Sequence, residues 1–169
     1  MKNWTLKIFI ITLILSGLFT ALSSYLANFN FLILLIILLI VILIGIIFDM
    51  IGVAILSSKE AAFHAKASKK IKGAKASIRL VRNATKASSI CNDVIGDICG
   101  IISGSLGVAI GSYLLITYGM ESLLTSVIMN ASISALTVGG KSLGKDIAAS
   151  KCDEIVFIVG KITSIFPTK

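Results

Sequence analysis

Four apolar stretches, separated by polar or charged segments, set the pattern of this chain. Ile8 to Leu22 is apolar and extends to Leu26, which is long enough to cross a bilayer. Phe31 to Leu56 is the clearest span: residues 31–48 hold no charged or hydrogen-bonding side chain, and at about 1.5 Å per residue that run alone covers about 27 Å, close to the hydrocarbon thickness. Val94 to Tyr118 is the third stretch. Leu123 to Val138 is the fourth, shorter and more polar, with Thr125, Ser126, Asn130, Ser132, Ser134 and Thr137 suited to protein contact rather than lipid. Gly139-Gly140 is expected to break it.

Two further segments read as amphipathic helices. Residues 57–89 are rich in Lys, Ala and Ser, with no proline and one glycine, Gly73, so they predict one helix or two hinged there. Ala61, Ala62, Ala65, Ile71, Ala74, Ile78, Val81 and Ala84 recur at roughly helical intervals with lysines between them, the pattern of a helix lying in a membrane surface. A plain solvated helix is the alternative. Residues 142–166 predict a cytoplasmic amphipathic helix with Ile147, Ile155, Ile158, Val159, Ile162 and Phe166 as apolar positions, closed by Pro167. No internal repeat and no separate soluble domain is visible.

Charge turns this pattern into a topology. Lys2 and Lys7 precede the first stretch, nine Lys and Arg residues crowd between Lys59 and Lys86, and Lys141, Lys145, Lys151, Lys161 and Lys169 follow the last stretch. The connections Ala27-Asn28-Phe29-Asn30 and Tyr118-Gly119-Met120-Glu121 carry no positive charge. Short Lys/Arg-rich loops stay cytoplasmic, so the chain is expected to be an all-α polytopic bundle of the cell membrane, with four spans and both termini inside. The first stretch, with its basic start and the small residues Ser23-Ser24, also has the look of a cleavable signal peptide. A retained span is the reading adopted, with Trp4 and Tyr25 at the two interfaces; cleavage would leave the remaining topology unchanged.

Composition fits lipid better than a soluble core, since 56% of the 169 residues are apolar. The net charge of +8 raises nucleic acid as a partner, but aromatics are few outside the spans and the basic cluster lies between two apolar stretches. Anionic headgroups suit it better, at about 1 kcal/mol per nearby cation, and the belt would be Lys66, Lys69, Lys70, Lys72, Lys75, Arg79 and Arg82. Cys91, Cys99 and Cys152 have neither metal spacing nor an even count and read as free thiols.

Within the third stretch, Gly96, Gly100, Gly104, Gly107 and Gly111 recur three and four apart. Such faces let helix backbones approach closely in lipid, so this helix is expected to be the hub of the bundle and a route to a homodimer.

Three acids fall at membrane depth and each needs a reason: Asp49 near the end of the second span, and Asp93 and Asp97 at the start of the third. Asp93 and Asp97 are four apart and share a helix face, with Asn92 beside them. Carboxylates, an amide oxygen and the carbonyls freed by a helix break at Gly139-Gly140 are ligands that hard cations such as magnesium prefer. The alternative is that the acids cap a helix at headgroup level, which suits Asp93 alone better than Asp97, a turn deeper.

The stretch Ile47-Phe48-Asp49-Met50-Ile51-Gly52-Val53-Ala54-Ile55-Leu56, followed by a basic helical segment, resembles the first span of the transmembrane domain of the cyclin-M/CorB magnesium transporters. That family typically reads Phe-Phe-Ser, two residues, Glu, one residue, Ala-Leu there. Ser89-Ile90-Cys91-Asn92-Asp93-Val94-Ile95-Gly96-Asp97 is similar to its Gly-Asn-Asn-Leu-Val-Asn motif, with Asn92 on the Gly, Asp93 on the first Asn and Asp97 on the last. Gly140-Lys141-Ser142-Leu143-Gly144-Lys145 resembles its Gly-Glu, two residues, Pro-Lys, with Ile147-Ala148 following. The resemblance covers about residues 31–166 of a domain at 27–169, with residues 1–26 as an added N-terminal span, spans at 31–56, 94–118 and 123–138, and amphipathic helices at 57–89 and 142–166. It implies magnesium transport or homeostasis.

The departures point elsewhere. The family's cation-binding Ser is Asp49, its motif Asn is Asp93, its Gly-Glu glutamate is Lys141 and its helix-breaking Pro is Gly144, and the soluble regulatory domains of full-length relatives do not follow. A lysine in place of a ligand glutamate puts positive charge where a cation should sit. The Lys141 ammonium is therefore expected to act as a counter-charge to Asp49 or Asp93. On that reading the fold persists and transport is lost or changed; cation transport or homeostasis is the function expected from the resemblance, and a non-transporting membrane scaffold or regulator with a degenerate site is the alternative.

Other signals carry less. Ala135-Leu136-Thr137-Val138-Gly139-Gly140-Lys141-Ser142 fits a relaxed phosphate-loop pattern but lacks the strand that mechanism needs. His64 lies among lysines and reads as solvated, and with no nucleophile beside a base, an enzyme is not expected.

Overall fold

The computed structural model describes residues 2–26, 29–119 and 122–165 and, within them, all side chains except those of residues 2–4, 19, 20, 22–26 and 122. The roles expected of Trp4, Tyr25, Phe166 and Pro167 fall outside these. The helices are α1 (Lys2–Leu26), α2 (Phe31–Ser57), α3 (Ala61–Ser68), α4 (Ala74–Arg82), α5 (Ala84–Ser89), α6 (Asp97–Tyr118), α7 (Ser122–Ser150) and α8 (Cys152–Thr163), with a π-helical segment at Ile90–Gly96 joining α5 to α6. No strand occurs among the described residues.

Three helical stretches are long and apolar enough to cross a membrane: Phe31–Ser57, Ala84–Tyr118 and Leu123–Ser150. Each exceeds the roughly 20 residues a bilayer core requires. On α2 the side chains of Leu32, Ile36, Leu39, Ile40 and Leu43 are exposed, an apolar surface that water would not tolerate and lipid would cover. This is an all-α membrane protein. In α1 the apolar helical stretch among described side chains is Thr5–Leu18.

The chain divides into two compact units, Met1–Ile46 with Val94–Gly140, and Ile47–Asp93 with Lys141–Lys169. In the first, Leu34, Leu38 and Ile42 recur every four residues on one face of α2 and pack with Leu106 and Ile110 of α6 and Ile133 of α7. α1 packs along α6. The hydroxyls of Ser103, Ser105, Ser112, Ser132 and Thr137 donate to the carbonyl one turn back, which satisfies them without water. Close packing is confined to part of the glycine run. A Cβ on Gly107 would overlap Ile133, and one on Gly45 of α2 would lie 3.0 Å from Cys99 Cβ, whereas Gly100, Gly104 and Gly111 would meet nothing within 4 Å.

The second unit has its own core of Ala54 and Ile55 from α2, Phe63 from α3, Ile78 from α4, Ala148 from α7 and Val156 from α8. The seam between α4 and α8 is tight. A Cβ on Gly160 would overlap Ser77 Oγ and lie 2.8 Å from the Gly73 carbonyl oxygen, while the Ser77 hydroxyl donates to Gly73 O at 3.1 Å and Val156 O at 3.2 Å. Gly73 has φ +93°, and a Cβ there would lie 2.8 Å from the Lys161 backbone nitrogen, so both conformation and space require glycine.

Three expectations are corrected. Residues 57–89 form three helices rather than one or two, because the chain turns through left-handed Lys70 (φ 54°) and Gly73 and again at Asn83. The apolar face of α4, carried by Ala74 and Ile78, is buried against protein rather than offered to lipid. Finally, α7 runs unbroken through Gly139-Gly140 to Ser150, and the turn falls at Lys151, so residues 142–166 are not one helix.

Candidate functional site

The continuity of α7 builds the site. Because no break intervenes, Lys141 and Lys145 stand one turn apart on a single helix face. Both meet Asp49, whose carboxylate is buried in the last third of α2: Lys141 Nζ lies 3.9 Å from Oδ1 and Lys145 Nζ 3.8 Å from Oδ2. Of the two partners considered for Lys141, it is Asp49 that stands beside it. The second cation, Lys145, was not foreseen; its spacing of four from Lys141 would have revealed it had the helix been read as continuous.

These separations are ion pairs rather than hydrogen bonds, which need about 3.2 Å or less. Two opposite charges at 4 Å attract by about 4 kcal/mol at an effective dielectric of 20, and desolvation offsets much of that. Lys141 has only 22% of its side chain exposed and Lys145 54%, so Lys141 is the less screened partner. Asp49 Oδ2 accepts no hydrogen bond among the described residues.

One turn further along α2, Gly52 leaves room for Asn92, whose amide would overlap any Cβ at that position. Asn92 sits in the π-helical segment, a local widening of the helix often found at functional sites. Its Nδ2 donates to Ser88 Oγ at 3.3 Å, while Oδ1, like the hydroxyl oxygen of Ser58 just past α2, is buried with no hydrogen-bond partner among the described residues. Gly52, Ser58 and Ser88 gave no signal in the sequence beyond being small.

The remaining expected ligands have other surroundings of their own. Asp93 and Asp97 are exposed, and Asp97 belongs to the other unit, where it opens α6 as an acid in a first helical turn. Gly139 and Gly140 lie within α7, so their carbonyls are not freed by a break; a Cβ on Gly140 would meet Ile46. No group of three or more His, Cys, Asp or Glu side chains that could hold a metal occurs among the described residues. Within its own unit, the site is one buried carboxylate between two ammoniums.

The basic residues divide in their surroundings. Lys66 Nζ lies 4.3 Å above the Phe157 ring, beside Lys161 Nζ at 4.7 Å, so its charge rests on an aromatic face. Glu60 Oε1 accepts from Arg82 Nε at 2.7 Å and lies 3.2 Å from His64 Nε2. The Arg82 guanidinium holds the Glu60 carboxyl below its ordinary value of 4.5, and the carboxylate in turn raises Arg82. Lys69, Lys70, Lys72, Lys75 and Arg79 are exposed.

No protein-family profile, curated protein or solved structure matches the chain.

Proposed function

We propose that this protein is a four-span membrane scaffold or regulator of the cell membrane, with both termini cytoplasmic, that does not itself carry ions. It would be built on a transmembrane domain of the cyclin-M/CorB type, a kinship that rests on the three motifs quoted above. The observation that carries the proposal is the buried Asp49 carboxylate held between Lys141 and Lys145. Two fixed ammoniums supply the positive charge that a magnesium ion would otherwise bring, and a cation could enter only by displacing both. The distribution of basic residues supports the four-span topology, and the exposed lysines of the α3–α4 region would face anionic headgroups. Gly100 and Gly104, four apart with open space beside them, would let a second copy approach α6 closely.

Magnesium transport or homeostasis is the second reading. It is favoured by two buried oxygens in the same unit that accept no hydrogen bond among the described residues, Asp49 Oδ2 and Asn92 Oδ1, which are hard-cation ligands by chemistry.

Thermal stability with and without magnesium separates the two. The wild-type protein should be indifferent to magnesium, whereas Lys141→Glu combined with Lys145→Gln, which restores acidic ligands and removes both cations, should gain magnesium-dependent stability. Equal strong stabilisation of both proteins would refute ion replacement.

A further inference from the structure

Between the end of α3 and the start of α4 lies a cleft of about 410 Å³, lined by Lys70, Lys72 and Lys75 and by Gly73 and Ala76 at the opening of α4. Its volume is in the range of small-ligand clefts and exceeds what a bare inorganic anion fills. All three lysines are exposed, and no carboxylate pairs with any of them among the described residues. Their neighbours differ: the charge of Arg82 is met by Glu60, and those of Lys66 and Lys161 rest on Phe157. The cleft thus concentrates uncompensated positive charge in a concave site rather than spreading it along a face.

The backbone adds donors to the same place. Ala74 N–H bonds the Ile71 carbonyl and Ser77 N–H the Gly73 carbonyl, while the first-turn amides between them, of Lys75 and Ala76, have no intrahelical acceptor. The floor is fixed from below, since Gly73 is pressed against the Lys161 backbone and Ser77 against Gly160. The backbone donors are therefore held in place before any ligand arrives.

We infer that this cleft binds a phosphate group, carried by the headgroup of an anionic lipid or free in solution. Ammoniums and open amides together are the donor set that phosphate oxygens take, and the spare volume would hold the alcohol that the phosphate esterifies. The inference rests on the proposed reading that these lysines face anionic headgroups, and stands whether or not Asp49 ever meets a cation.

The test uses the full chain in a zwitterionic detergent. Native mass spectrometry counts phosphatidylglycerol adducts in competition with phosphatidylcholine, and calorimetry titrates inorganic phosphate without lipid. Lys72→Gln with Lys75→Gln removes charge from the cleft; Lys59→Gln with Lys151→Gln removes the same charge at exposed lysines outside the basic belt. One tightly held phosphatidylglycerol should be weakened roughly tenfold by the first pair and left nearly unchanged by the second. The same discrimination with inorganic phosphate identifies a soluble ligand, and its restriction to lipid identifies a headgroup. Equal loss in both pairs would reduce the cleft to diffuse attraction and overturn the inference, as would failure of either ligand to bind the wild-type protein.

Discussion

Lys145 Nζ lies 3.8 Å from Asp49 Oδ2, an oxygen that accepts no hydrogen bond among the described residues. With Lys141 at the other oxygen, the buried charge is shared by a half-exposed cation and a mostly covered one. Removing one partner of a buried pair costs about 3 kcal/mol, and removing an exposed partner less than about 1 kcal/mol. Lys141→Met should therefore lower stability markedly more than Lys145→Met in thermal unfolding. Equal losses, or the reverse order, would mean that the two lysines do not divide the charge as their burial indicates.

Gly52 and Asn92 should be coupled. Gly52→Ala places a methyl on the Asn92 amide and is expected to cost about 1–3 kcal/mol through overpacking. Asn92→Ala opens that space, so the double variant should be more stable than the sum of the single losses, by about 1 kcal/mol or more. Simple additivity in a double-mutant cycle would show that the two positions are not in contact.

Glycines within helices should split by surroundings rather than by sequence. Gly160→Ala would press on the Gly73 carbonyl and the Ser77 backbone, which cannot rotate away, and should destabilise by about 2 kcal/mol. Gly139 has nothing within 4 Å of a built Cβ, so Gly139→Ala should be neutral or stabilising by up to about 1 kcal/mol. A loss at Gly139 comparable to that at Gly160 would contradict this packing.

The bond from Arg82 to Glu60 should give a signed pH dependence. Because the folded-state value of Glu60 lies below 4.5, its contribution is complete above 4.5 and is lost as pH falls through the lower folded value. Melting temperatures of wild type and Glu60→Gln should differ near neutrality and converge in acid. A gap that widens on acidification would reverse the assignment.

Much of this architecture was legible in residue patterns. The apolar runs from Phe31 and Val94 mark helices that cross a membrane by length and composition, and Leu34, Leu38 and Ile42 sit every four residues along an apolar run too uniform to reveal which face is buried. Gly139-Gly140 misled because glycine costs only about 1 kcal/mol in a helix, whereas leaving backbone groups unpaired in lipid costs several, so the helix continues. Lys70 misled in the opposite sense: nothing in a lysine announces a left-handed conformation, so the turn before α4 could not be read. Phe63, fully buried, was hidden among alanines and lysines whose periodicity drifts across that turn. The pairing of Lys141 with Asp49 or Asp93 is what the resemblance implies, since a lysine stands where the family has a ligand glutamate; that the acid is Asp49, and that Lys145 joins it, depends on helix register.

Magnesium flux into proteoliposomes tests the central claim most directly. On the proposed reading, Lys141 and Lys145 take the place of an ion at Asp49, so uptake should equal that of protein-free vesicles. Saturable uptake that Asp49→Asn abolishes would contradict it.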